Sequence, residues 1–249
     1  MKKTIIVMPV ANEESMILDS KARYQEKTAR EILDEILELP YDRLYVYPVV
    51  DDYSKDRTEA IIREREKHSD KVKCIYYKES TGVISCYLEG FRRALADGAE
   101  QILEMDGGLS HLPSEIPQFL EKLEEGYECV WGSRFMKGGS MREQPLYRRI
   151  LSGGGTLLSN LVLGTRLKDM TSGFEAFQRE ILEKMNFEKF LSTGHMYQTE
   201  MRYYCRNCRT VEVPIHYVGT ASSLKGSSVV EALKILFKLK KNERNIWKK

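Results

Sequence analysis

An apolar run, Val46-Tyr47-Pro48-Val49-Val50, stops abruptly at Asp51-Asp52 and passes into Tyr53-Ser54-Lys55-Asp56-Arg57-Thr58. It reads as a strand emptying into a polar site. The arrangement recurs where Gln101-Ile102-Leu103-Glu104-Met105-Asp106 precedes Gly107-Gly108 and His111-Leu112-Pro113. Two carboxylate-tipped strands of this kind imply an open α/β sheet, in which ligands gather beyond the carboxyl ends of the strands.

The pattern around these runs alternates between the two periodicities. Residues 4–10 and 44–50 read as strands, with a long charged helical segment over 20–39 between them. Helical patterns follow at 58–68, 85–98, 117–126, 150–164 and 197–206, and strand patterns at 72–77, 101–105, 129–131 and 210–214. Residues 135–149 are loop-like and rich in Gly and basic side chains, and 219–228 read as a polar loop. The apolar pattern over 150–164 suits a membrane-proximal helix. Repeats, low-complexity tracts and interdomain linkers are absent.

With 249 residues and 42% hydrophobic content, the chain can bury one sizeable core. Residues 1–228 read as one domain and 229–249 as a basic amphipathic tail. Cys74, Cys86, Cys129, Cys205 and Cys208 are odd in number and scattered, which suits a reducing cytoplasm better than a disulfide framework. Cys205 and Cys208 have CxxC spacing, but without a second pair that spacing is a weak signal of metal or redox chemistry, and the surroundings read as a helix end before a strand. The apolar run from Ile5 is broken at Pro9 and followed by Asn12-Glu13-Glu14, so it is neither signal peptide nor membrane span.

The net charge of +2 conceals an asymmetry: residues 225–249 carry eight Lys/Arg against two Glu, so the remainder is acidic. That distribution gives no reason to expect a nucleic-acid partner. The apolar face and lysine flank of the tail suit either an anionic membrane surface or a core-packed helix with a solvated end.

Among the polar residues, Asp51 and Asp52 stand where open α/β sites hold nucleobase and ribose, whereas Ser54 and Asp56 are spaced to cap the helix beginning at Thr58. Gly107-Gly108 after Asp106 permits close approach of a diphosphate and a divalent cation, which one carboxylate would share with substrate phosphates and water, with Ser110 or His111 as possible helpers. His111 fits equally well as a loop anchor. Arg134, Arg148, Arg149 and Ser152 are potential phosphate donors, with plain surface solvation the alternative for one of the two adjacent arginines.

Taken together, Pro9-Val10-Ala11-Asn12-Glu13, the segment Val50 to Thr58, Met105-Asp106-Gly107-Gly108-Leu109-Ser110-His111 and Gly132-Ser133-Arg134-Phe135 resemble glycosyltransferase family 2. The segment Asp169 to Phe174, Tyr197-Gln198-Thr199-Glu200 and Val211-Glu212-Val213-Pro214-Ile215 resemble its dolichol-phosphate mannosyltransferase branch in order and spacing. The resemblance covers about residues 4–235. It implies a GT-A, Rossmann-like α/β fold with a mostly parallel sheet, and inverting transfer of a hexose such as mannose or glucose from a UDP- or GDP-sugar. The implied acceptor is a polyprenyl phosphate or a related group at the cytoplasmic membrane face.

By motif match, Pro9, Ala11, Glu13 and Asp52 would line the nucleoside pocket, joined by Asp51 from its place at the strand exit, and Asp106 would stand at Mg2+ or Mn2+ and the diphosphate. Arg134, Arg148 and Ser152 would face the acceptor phosphate, and Asp169, Gln198 and Glu200 the sugar and acceptor. The chain departs from the family around the phosphates. Gly108 replaces the second Asp of the metal motif, Ser110 a frequent Gln, Glu175 a usual Arg, Thr81 to Ser85 a Lys-Gly-Leu-Gly loop, and Thr220 and Ser223 lie where Arg and Lys are common. These departures leave open a second reading, a non-catalytic sugar-nucleotide-binding or scaffold protein.

Overall fold

The computed structural model describes residues 2–14, 32–108, 110–142, 144–194, 196–218, 226–241 and 246–247. Seven strands form one sheet: β1 (Thr4–Val10), β2 (Leu44–Val50), β3 (Ile75–Tyr76), β4 (Gln101–Glu104), β5 (Cys129–Ser133), β6 (Glu175–Gln178) and β7 (Thr210–Pro214), in the spatial order β3-β2-β1-β4-β6-β5-β7. The described helices are α1 (Ile32–Leu37), α2 (Thr58–His68), α3 (Val83–Ala96), α4 (Ile116–Glu124), α5 (Leu146–Leu163), α6 (Arg179–Lys184), α7 (Tyr197–Tyr204) and α8 (Gly226–Lys241).

β1 is apolar along nearly its whole length because it is covered on both faces, as interior strands of parallel sheets are. Alternate residues feed two cores. Ile5 and Val7 join Phe91, Phe177, Leu182, Tyr197 and Leu236 on one side. Ile6, Met8 and Val10 join Leu33, Ile62, Phe119 and Leu120 on the other.

β6 runs antiparallel to both β4 and β5, and every other pairing is parallel. This reversal shapes the site. The carboxyl ends of β1, β2, β4 and β5 share one edge of the sheet, and the turn that precedes β6 arrives at that same edge. The pattern 169–174 therefore is a turn, as expected, but the strand and the helix α6 after it were not legible.

Three other expectations need correction. The strand over 72–77 contracts to the two-residue edge strand β3 with an isolated bridge from Val72 to Val46. The strand over 101–105 stops at Glu104, and α5 begins at Leu146, so Arg148 and Arg149 are helical. Of the helix expected over 20–39, only α1 falls among the described residues; the loop 219–225, with Thr220 and Ser223, lies outside them.

Ile235, Leu236 and Leu239 of α8, with Ile246 beyond it, are buried in the common core, while Leu233 and Phe237 stay exposed. The helix α8 thus packs on the same core as the sheet. No helix among the described residues is long and apolar enough to cross a membrane.

Candidate active site

The end of β1 and the loop after β2 are stitched together by side chains. Asn12, in the left-handed region at φ 57°, receives a hydrogen bond on Oδ1 from the Lys55 backbone N–H at 2.8 Å and donates through Nδ2 to the Tyr53 carbonyl at 2.9 Å. The Glu13 N–H donates to Thr58 Oγ1 at 2.9 Å, and Glu14 pairs with Arg57. Asp56 Oδ1 accepts from the N–H of Thr58, the first residue of α2, at 3.0 Å, although the N-cap position itself is Arg57, which makes no side-chain cap. Pro9, Ala11, Glu13 and Asp52 are thereby collected at one lip.

The two adjacent carboxylates have different fates. Asp51 is 5% exposed, with Ser80 Oγ donating to Oδ2 at 2.6 Å, Cys86 Sγ close by at 3.4 Å, and the Tyr53 N–H donating to Oδ1 at 3.1 Å. The charge of Asp51, expected at the nucleotide, is satisfied inside the protein. Asp52 is exposed and accepts from the Tyr76 hydroxyl.

Asp106 stands across the cleft. A Cβ on Gly107 would lie 2.1 Å from Val10 Cγ1 and 2.8 Å from the Pro9 carbonyl oxygen, so only glycine lets this loop close on β1. Tyr87 donates its hydroxyl proton to Asp106 Oδ1 at 2.8 Å. His111 Nδ1 accepts from the Asp106 N–H at 3.1 Å, which leaves the ring proton on Nε2, 3.9 Å from Asp106 Oδ2. Burial pushes the His111 pKa down, and the ring stacks on Phe174 at 4.8 Å, so His111 is a neutral loop anchor. Gly173 is the point of convergence: a Cβ there would meet Gln198 Nε2 at 3.3 Å, Asp106 Oδ1 at 3.6 Å and His111 Cε1 at 3.8 Å.

Arg134 and Asp169 form a buried fork, with Nε to Oδ2 at 2.7 Å and Nη2 to Oδ1 at 2.9 Å. The Arg134 N–H also donates to Oδ2 at 3.0 Å, and the guanidinium lies over the rings of Phe135 and Tyr217. Asp169, expected at the sugar or acceptor, is wholly buried and bonded to this arginine and to Thr171. Glu200, also expected there, is held in a similar way. It is fully buried, and its oxygens accept from the Leu191 and Ser192 N–H groups, both at 2.8 Å, and from the Tyr204 hydroxyl.

Arg148, Ser152, Gly155, Thr156 and Ser159 share the inner face of α5, as spacings of three and four residues require. A Cβ on Gly155 would come 3.9 Å from Thr171, which itself accepts from Arg134, and Thr156 Oγ1 accepts from the Met170 N–H. The inner face thus lies against the turn that holds Arg134. Arg148 Nε and Nη2 are buried there without a hydrogen-bond partner among the described residues. Buried guanidinium N–H groups are costly unless an anion meets them.

The match to the family model of Glycosyl transferase family 2 spans residues 5–185. The chain belongs to that family. It is 33% identical over 191 residues to polyprenol monophosphomannose synthase of Mycolicibacterium smegmatis, covering 74% of this chain and 72% of that one. It is 32% identical over 190 residues to undecaprenyl-phosphate mannosyltransferase of Micrococcus luteus, covering 74% and 78%. Glucosyl-3-phosphoglycerate synthase of Mycobacterium tuberculosis, solved with Mn2+, UDP and glucosyl-3-phosphoglycerate, has a TM-score of 0.66 at 15% identity over 96% of this chain and 80% of that one. At that identity the likeness speaks for the shared GT-A fold.

Glu175, which stands where the family usually carries Arg, is no exposed anion in this glycosyltransferase. It faces Glu104 across the β4–β6 ladder, and Arg202 from α7 pairs with it inside the protein. Burial and the facing Glu175 push the Glu104 carboxyl well above the ordinary value of 4.5, and Tyr197 donates to Glu104 Oε2 at 3.2 Å.

A carboxyl raised in the folded state keeps a proton that the unfolded chain releases. Its contribution is complete below pH 4.5 and is lost as pH rises toward the folded value. Glu104→Gln is therefore expected to flatten the fall in stability as pH rises above 4.5, the ordinary carboxyl value. Urea unfolding midpoints of both proteins across that range provide the check, and parallel profiles would refute it.

Proposed function

We propose that this glycosyltransferase moves a hexose from a UDP- or GDP-sugar to a polyprenyl phosphate, with inversion, at the surface of an anionic membrane on the cytoplasmic side. The observation that carries the reading is the inverted amphipathicity of α5. Its inner face holds Arg148, whose Nε and Nη2 have no partner among the described residues, and its outer face exposes Leu146, Tyr147, Ile150, Leu157, Leu158 and Leu161, with Leu161 79% exposed. An apolar stripe turned to the outside and a buried cation on the inside suit a lipid whose head is a phosphate. The names of the two curated relatives point to the same acceptor class.

Pro9, Ala11, Glu13 and Asp52 bind the nucleoside, and Gln198 contacts the sugar beside Asp106. Asp106 Oδ2 accepts no hydrogen bond from a described residue and its side chain is 38% exposed, so the donor set fits Mg2+ or Mn2+ in a reduced form. Asp106 would be the protein ligand, with substrate phosphates and water completing the shell. Such an ion, when bound, neutralises the departing diphosphate.

Arg148 and Ser152 orient the acceptor phosphate, and Arg134 sets the charge beside it. The acceptor oxygen is already ionised. It attacks the anomeric carbon without a general base, and the bond to the diphosphate breaks with its electron pair on the leaving group.

Acceptor-stimulated release of UDP or GDP from a panel of nucleotide sugars, with Mg2+, Mn2+ or chelator, tests the reaction. Donor binding with no release under any condition would overturn it. Arg148→Ala is expected to lower turnover with polyprenyl phosphate about 100-fold while leaving donor affinity in place. Leu157→Ser with Leu161→Ser is expected to weaken co-sedimentation with anionic vesicles at least about tenfold, since each exposed leucine can return about 1.5 kcal/mol or more on insertion. Undiminished sedimentation would remove α5 from the membrane contact.

A further inference from the structure

The far edge of the sheet, opposite the cleft, gathers three thiols. Cys129 opens β5, Cys205 follows the last turn of α7, and Cys208 precedes β7 by two residues. The ladder pairs Cys129 with Thr210, and the Cys208 N–H donates to the Cys205 carbonyl at 2.9 Å, folding the Cys205-Arg206-Asn207-Cys208 turn back on itself. Strand register and turn together bring the sulfur atoms of Cys129, Cys205 and Cys208 within 4.8 Å of one another. The CxxC spacing, a weak signal by itself, thus acquires a third ligand from a strand 76 residues earlier than Cys205.

We propose that Cys129, Cys205 and Cys208 bind one thiophilic metal ion, of the Zn2+ class, as a three-thiolate site with its fourth position open to water. Thiolates bonded to zinc at about 2.3 Å lie about 3.8 Å apart around a tetrahedral ion, so a contraction of about 1 Å closes the cluster. Soft sulfur donors select Zn2+ over the hard cations that suit Asp106, so the two sites do not compete for one metal. Cys129 and Cys205 are fully buried, whereas Cys208 is half-buried and opens the site to solvent.

The position gives the ion a structural consequence. β5 runs from Cys129 to Ser133, next to Arg134, and α7 carries Gln198 toward Asp106 and ends at Cys205. An ion at the far edge would therefore clamp together the strand and the helix that position two cleft residues. It belongs to the framework and touches no reacting atom.

The test uses the full chain, purified under reducing conditions and stripped with chelator. Addition of Co2+ is expected to give one equivalent of binding with sulfur-to-cobalt charge-transfer absorption and the intense visible bands of a tetrahedral ion, displaced by one equivalent of Zn2+. Zn2+ is expected to shield the half-buried Cys208 from alkylation while the half-buried Cys74 reacts as before, a readout independent of activity. Cys208→Ser, in the half-buried turn, is expected to abolish the cobalt spectrum, and Cys74→Ser to leave it intact. Absence of the charge-transfer band in the wild-type chain, or its survival in Cys208→Ser, would overturn the proposal. If Cys208→Ser unfolds, the alkylation pattern of the wild-type chain with and without Zn2+ decides.

Discussion

Asp106→Asn is expected to lower kcat/KM for sugar transfer by about 1,000-fold, because it removes the carboxylate proposed to hold the divalent cation at the diphosphate. In this family the second carboxylate of the motif would cushion such a change, but here the position is Gly108. The loss should fall on kcat and on metal dependence together. The fold should persist, since the Asp106 side chain is 38% exposed and its Oδ1 can still accept from Tyr87 as an amide oxygen.

Tyr87→Phe separates position from charge. It keeps the carboxylate but removes the donor that fixes its orientation, and a loss of about tenfold in kcat with little change in donor KM is expected. Initial rates over a magnesium series, with melting temperatures as control, measure both variants. An Asp106→Asn enzyme within tenfold of wild type would move the phosphate site elsewhere.

Much of this geometry is legible in the chain because interior parallel strands are written as unbroken apolar runs that end in polar loops. β1, β2 and β4 are of that kind, so Asp51, Asp52 and Asp106 are legible at strand exits, whereas Ala11 enters only through the family resemblance. β6 escapes the same reading. Its four residues are Glu175-Ala176-Phe177-Gln178, and its buried polar ends meet distant partners: Arg202 on α7 for Glu175, and the Leu123 carbonyl for Gln178.

Sequence also cannot separate carboxylates that meet a ligand from those that hold the frame. Asp51 and Asp52 are neighbours of one type, yet Ser80 and Cys86, reached only through the chain's return at β3, turn the first inward. Tyr87 was missed for a related reason. On the buried face of α3 it reads as a core aromatic, and only the fold aims its hydroxyl at Asp106.

The Arg134–Asp169 fork is the second place where a single change should act strongly, and there stability and activity can be pulled apart. Burial opposes ionisation of Asp169, but the adjacent Arg134 charge and its hydrogen bonds outweigh that cost and hold the carboxyl below its ordinary value of 3.8. A depressed carboxyl contributes stability above its unfolded value and loses it as pH falls through the folded one, so the pair should weaken only in acid.

Asp169→Ala leaves the Arg134 guanidinium, 8% exposed, without its counterion, and is expected to cost about 3 to 5 kcal/mol at pH 7. Arg134→Met with Asp169→Leu removes both charges and refills the volume. That double variant should recover most of the lost stability, as buried ion pairs replaced by packed apolar groups do, and yet remain inactive, because the charge proposed to stand beside the acceptor phosphate is gone. Denaturant unfolding and acceptor-dependent nucleotide release, measured on both variants, make the comparison. A stable and active double variant would confine the fork to architecture, whereas a stable, inactive one would assign Arg134 to the phosphates and Asp169 to holding it there.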